Sequence, residues 1–130
     1  MTKFDHDGAL LWTKQLGAET FPNGESDGMD QCNSMTVDNS GNIYCAGFTT
    51  GSLGGENVGT EDALILKLNN LGSIDWIKQL GSFNGDECYG VAVDTSNNVY
   101  CAGSTFGAIV SANDGGTNIF VVKLKPDGSL

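Results

Sequence analysis

The chain repeats itself. Residues 30–49 (DQCNSMTVDNSGNIYCAGFT) align without gaps on residues 86–105 (DECYGVAVDTSNNVYCAGST), with eleven of twenty positions identical at a spacing of 56. The same spacing carries Gly59 to Gly115, Lys67 to Lys123, Leu68 to Leu124, Gly72 to Gly128 and Ser73 to Ser129. A second block shares Trp12, Lys14, Gln15, Leu16 and Gly17 with Trp76, Lys78, Gln79, Leu80 and Gly81, now at a spacing of 64. The discrepancy lies in one connection, which is longer between Gly17 and Asp30 than between Gly81 and Asp86. One inserted loop, residues 19–29, accounts for both spacings. Self-similarity of this size means that one supersecondary unit recurs, and it constrains the fold before any single residue is considered.

Period-2 patterning and turn chemistry predict four short strands per unit. In the first copy they fall at residues 32–37, 43–48, 62–68 and 74–80. The segment Asp38-Asn39-Ser40-Gly41-Asn42 makes a hairpin turn, because Asp bonds its own backbone two residues on and Gly accepts a positive φ. Asn97 replaces Gly41 in the second copy, and Asn tolerates the same region. No stretch holds a 3.6-residue period with caps, so helix is not expected. The runs Ala63-Leu64-Ile65-Leu66 and Ile119-Phe120-Val121-Val122 are apolar without alternation, as in strands covered on both faces. A sheet greasy on both sides needs a like sheet on each. Four antiparallel strands per repeat of this length predict β-propeller blades.

The patterns Asp94-Thr95-Ser96-Asn97-Asn98-Val99-Tyr100-Cys101-Ala102-Gly103, Asp62-Ala63-Leu64-Ile65-Leu66-Lys67-Leu68 and Gly72-Ser73-Ile74-Asp75-Trp76 resemble the bacterial SBBP β-propeller repeat. The resemblance covers nearly the whole chain; Asn118 in place of Asp62 and the acidic insertion are departures from it. It implies a repetitive scaffold of secreted or cell-surface bacterial proteins, with no catalytic motif to transfer. The expected fold is therefore all-β: two four-stranded antiparallel propeller blades, a partial propeller in permuted register. Residues 1–130 form one propeller segment, with an orphan outer strand in 3–17, a first blade in 30–81 and a second blade in 86–130 lacking its outer strand. That is eight strands. Propellers close with about 4–8 blades, so the expected partners are further blades, supplied by the same protein or by identical chains. Both sources stay open here.

The expected packing residues are the repeated ones: Trp12 and Trp76 in the wider gap between blades, with Tyr44, Tyr100, Val37 and Val93. Cys32, Cys88, Cys45 and Cys101 complete the set. If paired positions across the hairpin sum as Asp38 with Asn42 requires, Cys45 lies opposite Met35 and on the other face from Cys32. That register argues against a Cys32–Cys45 bond and for four small buried thiols, with an approach of Cys32 to Cys88 as the other option.

The formal net charge of −10 leaves no basic stripe for nucleic acid or an anionic membrane. No apolar run approaches the roughly 20 residues of a membrane helix, so membrane insertion is not expected. The N-terminal residues carry acids where an export signal needs an apolar stretch. His6 is the lone imidazole, and with no Cys-x-x-Cys spacing zinc is not expected. Asp5, Asp7, Glu25, Asp27 and Asp30 are weak candidates for Ca²⁺, set against the plainer reading of turn-forming acids. No other cofactor is expected. The binding-loop candidates are Glu19, Asn23, Glu25 and Asp27 in the insertion, facing a protein or carbohydrate ligand. The readings of function are a non-enzymatic scaffold or recognition segment, a structural protein self-assembling into a ring or filament, and a carbohydrate-binding propeller with exposed tryptophans.

Overall fold

Nine strands follow one another in the order of the repeat, with no helix among the described residues. The computed structural model describes residues 1–17, 28–109 and 115–130. A short hairpin, β1 (Thr2–Phe4) and β2 (Leu10–Thr13), comes first. A four-stranded sheet follows, β3 (Asp30–Val37), β4 (Ile43–Thr49), β5 (Asp62–Leu68) and β6 (Ile74–Leu80). The last sheet has three strands, β7 (Asp86–Val93), β8 (Val99–Thr105) and β9 (Asn118–Leu124). Every pairing is antiparallel and sequential within its sheet. The first blade and the three-stranded second blade stand as the repeat requires. Where eight strands were expected, the described residues hold nine. The outer strand at residues 3–17 is not an orphan, because β1 occupies its edge with Lys3 opposite Trp12. In the first blade Lys67 lies opposite Trp76, and the register shifts after the lysine in both sheets.

The hairpin turns form as their chemistry demands. The Asp38 amide donates to the Asn42 carbonyl at 3.0 Å, and the Gly41 amide donates back to the Asp38 carbonyl. Gly41 has φ 78°, and Asn97 takes its place with φ 62°.

Two junctions hold the three sheets together, the first between the hairpin and the first blade and the second between the two blades. Alternate residues of the first blade face each way. Tyr44, Ala46, Ala63 and Ile65 are buried against Cys88, Val99, Cys101, Phe120, Val122 and Leu124 of the second blade. Ile43, Cys45, Leu64, Leu66 and Leu68 are buried against Met1, Trp12 and Leu16 of the hairpin. Burial on both faces is why β4 and β5 read as uninterrupted apolar runs. The tryptophans bridge the wide side of each junction. Trp12 donates from Nε1 to the Asn70 carbonyl (3.3 Å), Trp76 to the Pro126 carbonyl (3.0 Å). A Cβ on Gly72 or Gly128 would crowd these rings at 3.0 or 2.9 Å, and both glycines also hold positive φ (83° and 82°). No other residue meets both demands.

The cysteines overturn the sequence expectation. They are disulfides, Cys32–Cys45 with Cα atoms 5.8 Å apart and Cys88–Cys101 with 6.0 Å, and no described cysteine is free. Met35 does lie opposite Cys45, as the turn register requires. Between Cys32 and Ser34, however, the register shifts by one, with Asn33 as the extra residue, and Tyr89 does the same in the second blade. A bulge turns every preceding side chain over, bringing Cys32 to the face of Cys45. The partners at the bulges are Gly47 and Gly103, where a Cβ would run into the Gln31 and Glu87 carbonyls.

Two expected core positions are also corrected. Val37 is 54% exposed, and Cys32 is exposed with it, whereas Val93 packs into the second junction and Cys88 is fully buried. The cause is the narrow hairpin sheet, whose two strands cover β4 and β5 but leave β3 open. Tyr44 is fully buried, Tyr100 half-buried, and Trp12 and Trp76 half-buried.

Candidate recognition surface at the long-loop end

Strand alternation sorts the connections onto two ends. One end carries the tight turns at residues 5–9, 38–42, 69–73, 94–98 and 125–129. The other carries the connections after β2, β4, β6 and β8, all but the five-residue one after β6 longer than the tight turns.

The tight-turn end is chemically closed. Asp38 accepts from the Ser40 and Asn42 amides, the Asn42 side chain and the Tyr44 hydroxyl. Asp94 repeats the set with Ser96, Asn98 and Tyr100. Burial pushes the Asp38 carboxyl upward, but the bonds from Asn42, Ser40 and Tyr44 outweigh it and hold it below the ordinary aspartate value. The Asn98 side chain, with the Asn98, Ser96 and Tyr100 donors, brings Asp94 down to about 2. Asp127 is lowered by the Ser129 amide and hydroxyl. These acids are turn formers; Asp38 and Asp94 accept on both oxygens, and Asp127 on one.

Their titration gives a direct expectation. A depressed carboxyl contributes stability that is complete above its unfolded value, 3.8 for these groups, and is lost as pH falls through the folded value. Thermal melts are therefore expected to drop between pH 4 and pH 2. Asp94→Asn should flatten that drop, and an unchanged slope would show that the turn bonds do not couple to folding.

The long-loop end is held by buried polar groups. Gln79 donates from Nε2 to Asp62 Oδ2 (2.8 Å) and to the Gly51 carbonyl (2.9 Å). Its Oε1 accepts from the Leu53 and Gly54 amides. Asp86 Oδ2 accepts from the Ser82 amide (2.6 Å) and hydroxyl (2.8 Å). The Asp86 amide donates to the Glu61 carbonyl, tying the second blade to the first. Above this base stand exposed groups. Phe83 and Phe106 are exposed, and the Asn84 side chain bonds the Phe106 carbonyl. Glu61 and Glu87 lie side by side, half-buried. Burial, then the neighbouring Glu61 carboxyl, pushes Glu87 above the ordinary glutamate value.

Of the residues singled out from sequence, Glu19, Asn23, Glu25 and Asp27 lie outside the described residues. Asp30 stands at this end, accepting from the Thr49 hydroxyl. Asp5 and Asp7 sit at the opposite end. Asp5 accepts from the Asp7 and Ala9 amides as a turn former, while Asp7 pairs with His6 in solvent. The calcium candidates Asp5, Asp7 and Asp30 are thus not brought together, and no grouping of three metal-ligating side chains occurs among the described residues. Phe83, Phe106, Glu61 and Glu87 were not singled out from sequence, because nothing in their local pattern sets them apart from ordinary loop and strand-end residues.

A cleft of about 310 Å³ opens beside the first junction, lined by Lys14, Leu16, Gln31, Cys32 and Cys45. It is the space left by the narrow hairpin sheet.

A family model described as the SBBP β-propeller repeat matches residues 11–54 and again residues 75–109. The chain belongs to the SBBP β-propeller repeat family. Each match runs from the outer strand of one sheet into the first strands of the next, so an SBBP repeat spans a junction rather than a single blade. The architecture is an open, propeller-type scaffold. No curated protein matches the chain.

Proposed function

We propose that this SBBP segment is a non-enzymatic scaffold in an extracellular or cell-surface protein, and that its long-loop end is the binding face. The observation that carries the reading is the contrast between the two ends. The tight-turn end spends its polar groups on itself, whereas the long-loop end sets exposed Phe83 and Phe106 near the Glu61–Glu87 pair on a rigid base. Rigid strands presenting variable loops are the usual arrangement for recognition. Paired carboxyls with exposed rings favour a protein partner that brings Lys or Arg, through charge and cation–π contact. The two disulfides support an oxidising compartment.

A carbohydrate ligand stacked on tryptophan is the weaker alternative, since one face of each indole is taken by Gly72 or Gly128. The test is selection from a random peptide display library against the folded chain. Wild type is expected to enrich basic sequences, and a Phe83→Ala, Phe106→Ala, Glu87→Gln variant is expected to lose them at least tenfold. Equal enrichment by that variant, or none by wild type, overturns the reading.

A further inference from the structure

We propose that Asn84 and Gly85, in the connection from the first blade to the second, form a self-modifying site. The Gly85 amide nitrogen attacks the Asn84 side chain, ammonia leaves, and position 84 ends as aspartate or isoaspartate. This neither rests on the ligand reading nor tests it.

The two repeats differ at this place in a way that frees the nucleophile. Fifty-six residues before Asn84 and Gly85 stand Gly28 and Met29. There the Thr50 amide donates to the Met29 carbonyl (2.9 Å), and the Met29 amide donates back to the Thr50 hydroxyl (2.7 Å). The second connection keeps the first of these bonds, from the Phe106 amide to the Gly85 carbonyl (3.1 Å). It loses the other, because Phe106 takes the place of Thr50 and has no hydroxyl. The Phe106 carbonyl accepts from Asn84 Nδ2 instead (3.2 Å). The Gly85 amide is thus left without an acceptor among the described residues. The carboxamide just before it in sequence is docked on the same residue, Phe106.

The comparable glycines are not open in this way. Gly8 and Gly128, which follow Asp7 and Asp127, donate their amides to the Asp5 and Lys125 carbonyls (3.2 and 2.9 Å). Asn84-Gly85 is the one Asn-Gly pair among the described residues. Asn84 is exposed, so water reaches it, and one exposed hydrogen bond holds its side chain. Gly85 carries no Cβ to hinder the approach.

The step balances with water as its one co-reactant. The Gly85 nitrogen bonds to Asn84 Cγ and gives its proton to solvent. The Cγ–Nδ2 bond breaks, and the departing nitrogen takes up a proton and leaves as ammonia. One water then opens the five-membered imide at either carbonyl. Either product adds a carboxylate next to Gly85, which is bridged to Glu61. Isoaspartate also lengthens the main chain by one methylene, in a connection clamped by the Asp86-to-Glu61 and Phe106-to-Gly85 bonds.

The test is peptide mapping of the folded chain after weeks in warm, neutral buffer. Trypsin separates residues 79–123 from the other Asn-Gly pair, Asn23-Gly24. The 79–123 peptide is expected to become about 1 Da heavier, with isoaspartate at position 84 on fragmentation. Phe106→Thr keeps the Asn-Gly pair and restores the hydroxyl acceptor of the first repeat. It is expected to slow the conversion about tenfold in the folded chain and not at all in urea, with a wild-type circular dichroism spectrum. Gly85→Ala is the second variant and is expected to slow it in both states. Its Cβ would meet the flexible Glu61 side chain first, with Oε2 at 3.3 Å. No mass gain at position 84 in wild type overturns the proposal. So does a Phe106→Thr chain that converts like wild type when folded, or that is slowed equally when unfolded.

Discussion

Replacing Cys88 and Cys101 together by alanine is expected to lower the stability of the chain by about 3 kcal/mol or more, and its melting temperature by about 10 °C. Both disulfides join residues 13 apart, so the loss of chain constraint is the same for each. Their surroundings differ. Cys88 and Cys101 are buried in the junction between the blades, and their removal also leaves a void in packed surface. Cys32 is exposed where the hairpin sheet falls short, so the Cys32→Ala, Cys45→Ala pair should cost less. Denaturant unfolding of the two double variants checks the order. If the exposed pair proved the costlier one, the account of the second junction as the main core would be wrong.

The second large effect is expected at Gln79. Its side-chain amide makes four hydrogen bonds, two donated and two accepted, to Asp62 and the 51–54 loop. Asp62 is fully buried, and its other oxygen, Oδ1, has no hydrogen-bond partner among the described residues. Gln79→Leu keeps roughly the same size but leaves Asp62 Oδ2 with the Val58 amide as its one donor among the described residues. Stranding a buried carboxyl in this way costs about 2–4 kcal/mol. Adding Asp62→Asn should restore part of it, because the second blade carries Asn118 at the matching place. A double-mutant cycle measures the coupling directly. Additive losses would mean that Gln79 serves the loop alone and not the carboxyl.

What the sequence disclosed and what it hid divide along a physical line. The turn from Asp38 to Asn42, the left-handed Asn97 and the bounds of β5 and β6 all follow from local chemistry, and they stand as expected. The place of the tryptophans follows from the repeat itself. The disulfides were hidden because alternation holds only along an unbroken register, and one extra residue at Asn33 or Tyr89 reverses it. A signal existed: Gly47 and Gly103 stand inside strands, where an isolated glycine marks a bulge or a close backbone approach. The exposure of Val37 was hidden for another reason, since its pattern matches that of Val93 and only the width of the neighbouring sheet separates them. The sequence yields only an outer strand within residues 3–17, because a segment as short as Thr2–Phe4 does not show whether it pairs. The loops of the candidate surface carry no period at all, so Phe83, Phe106 and Glu61 gained meaning only once the strands had set them at one end.

Placing one indole at each junction has a spectroscopic consequence. Trp12 reports on the seam between the hairpin and the first blade, and Trp76 on the seam between the two blades. These are the chain's only two tryptophans. Its intrinsic fluorescence is thus a pair of separable gauges, and loosening of either seam can be followed by emission without attaching a label.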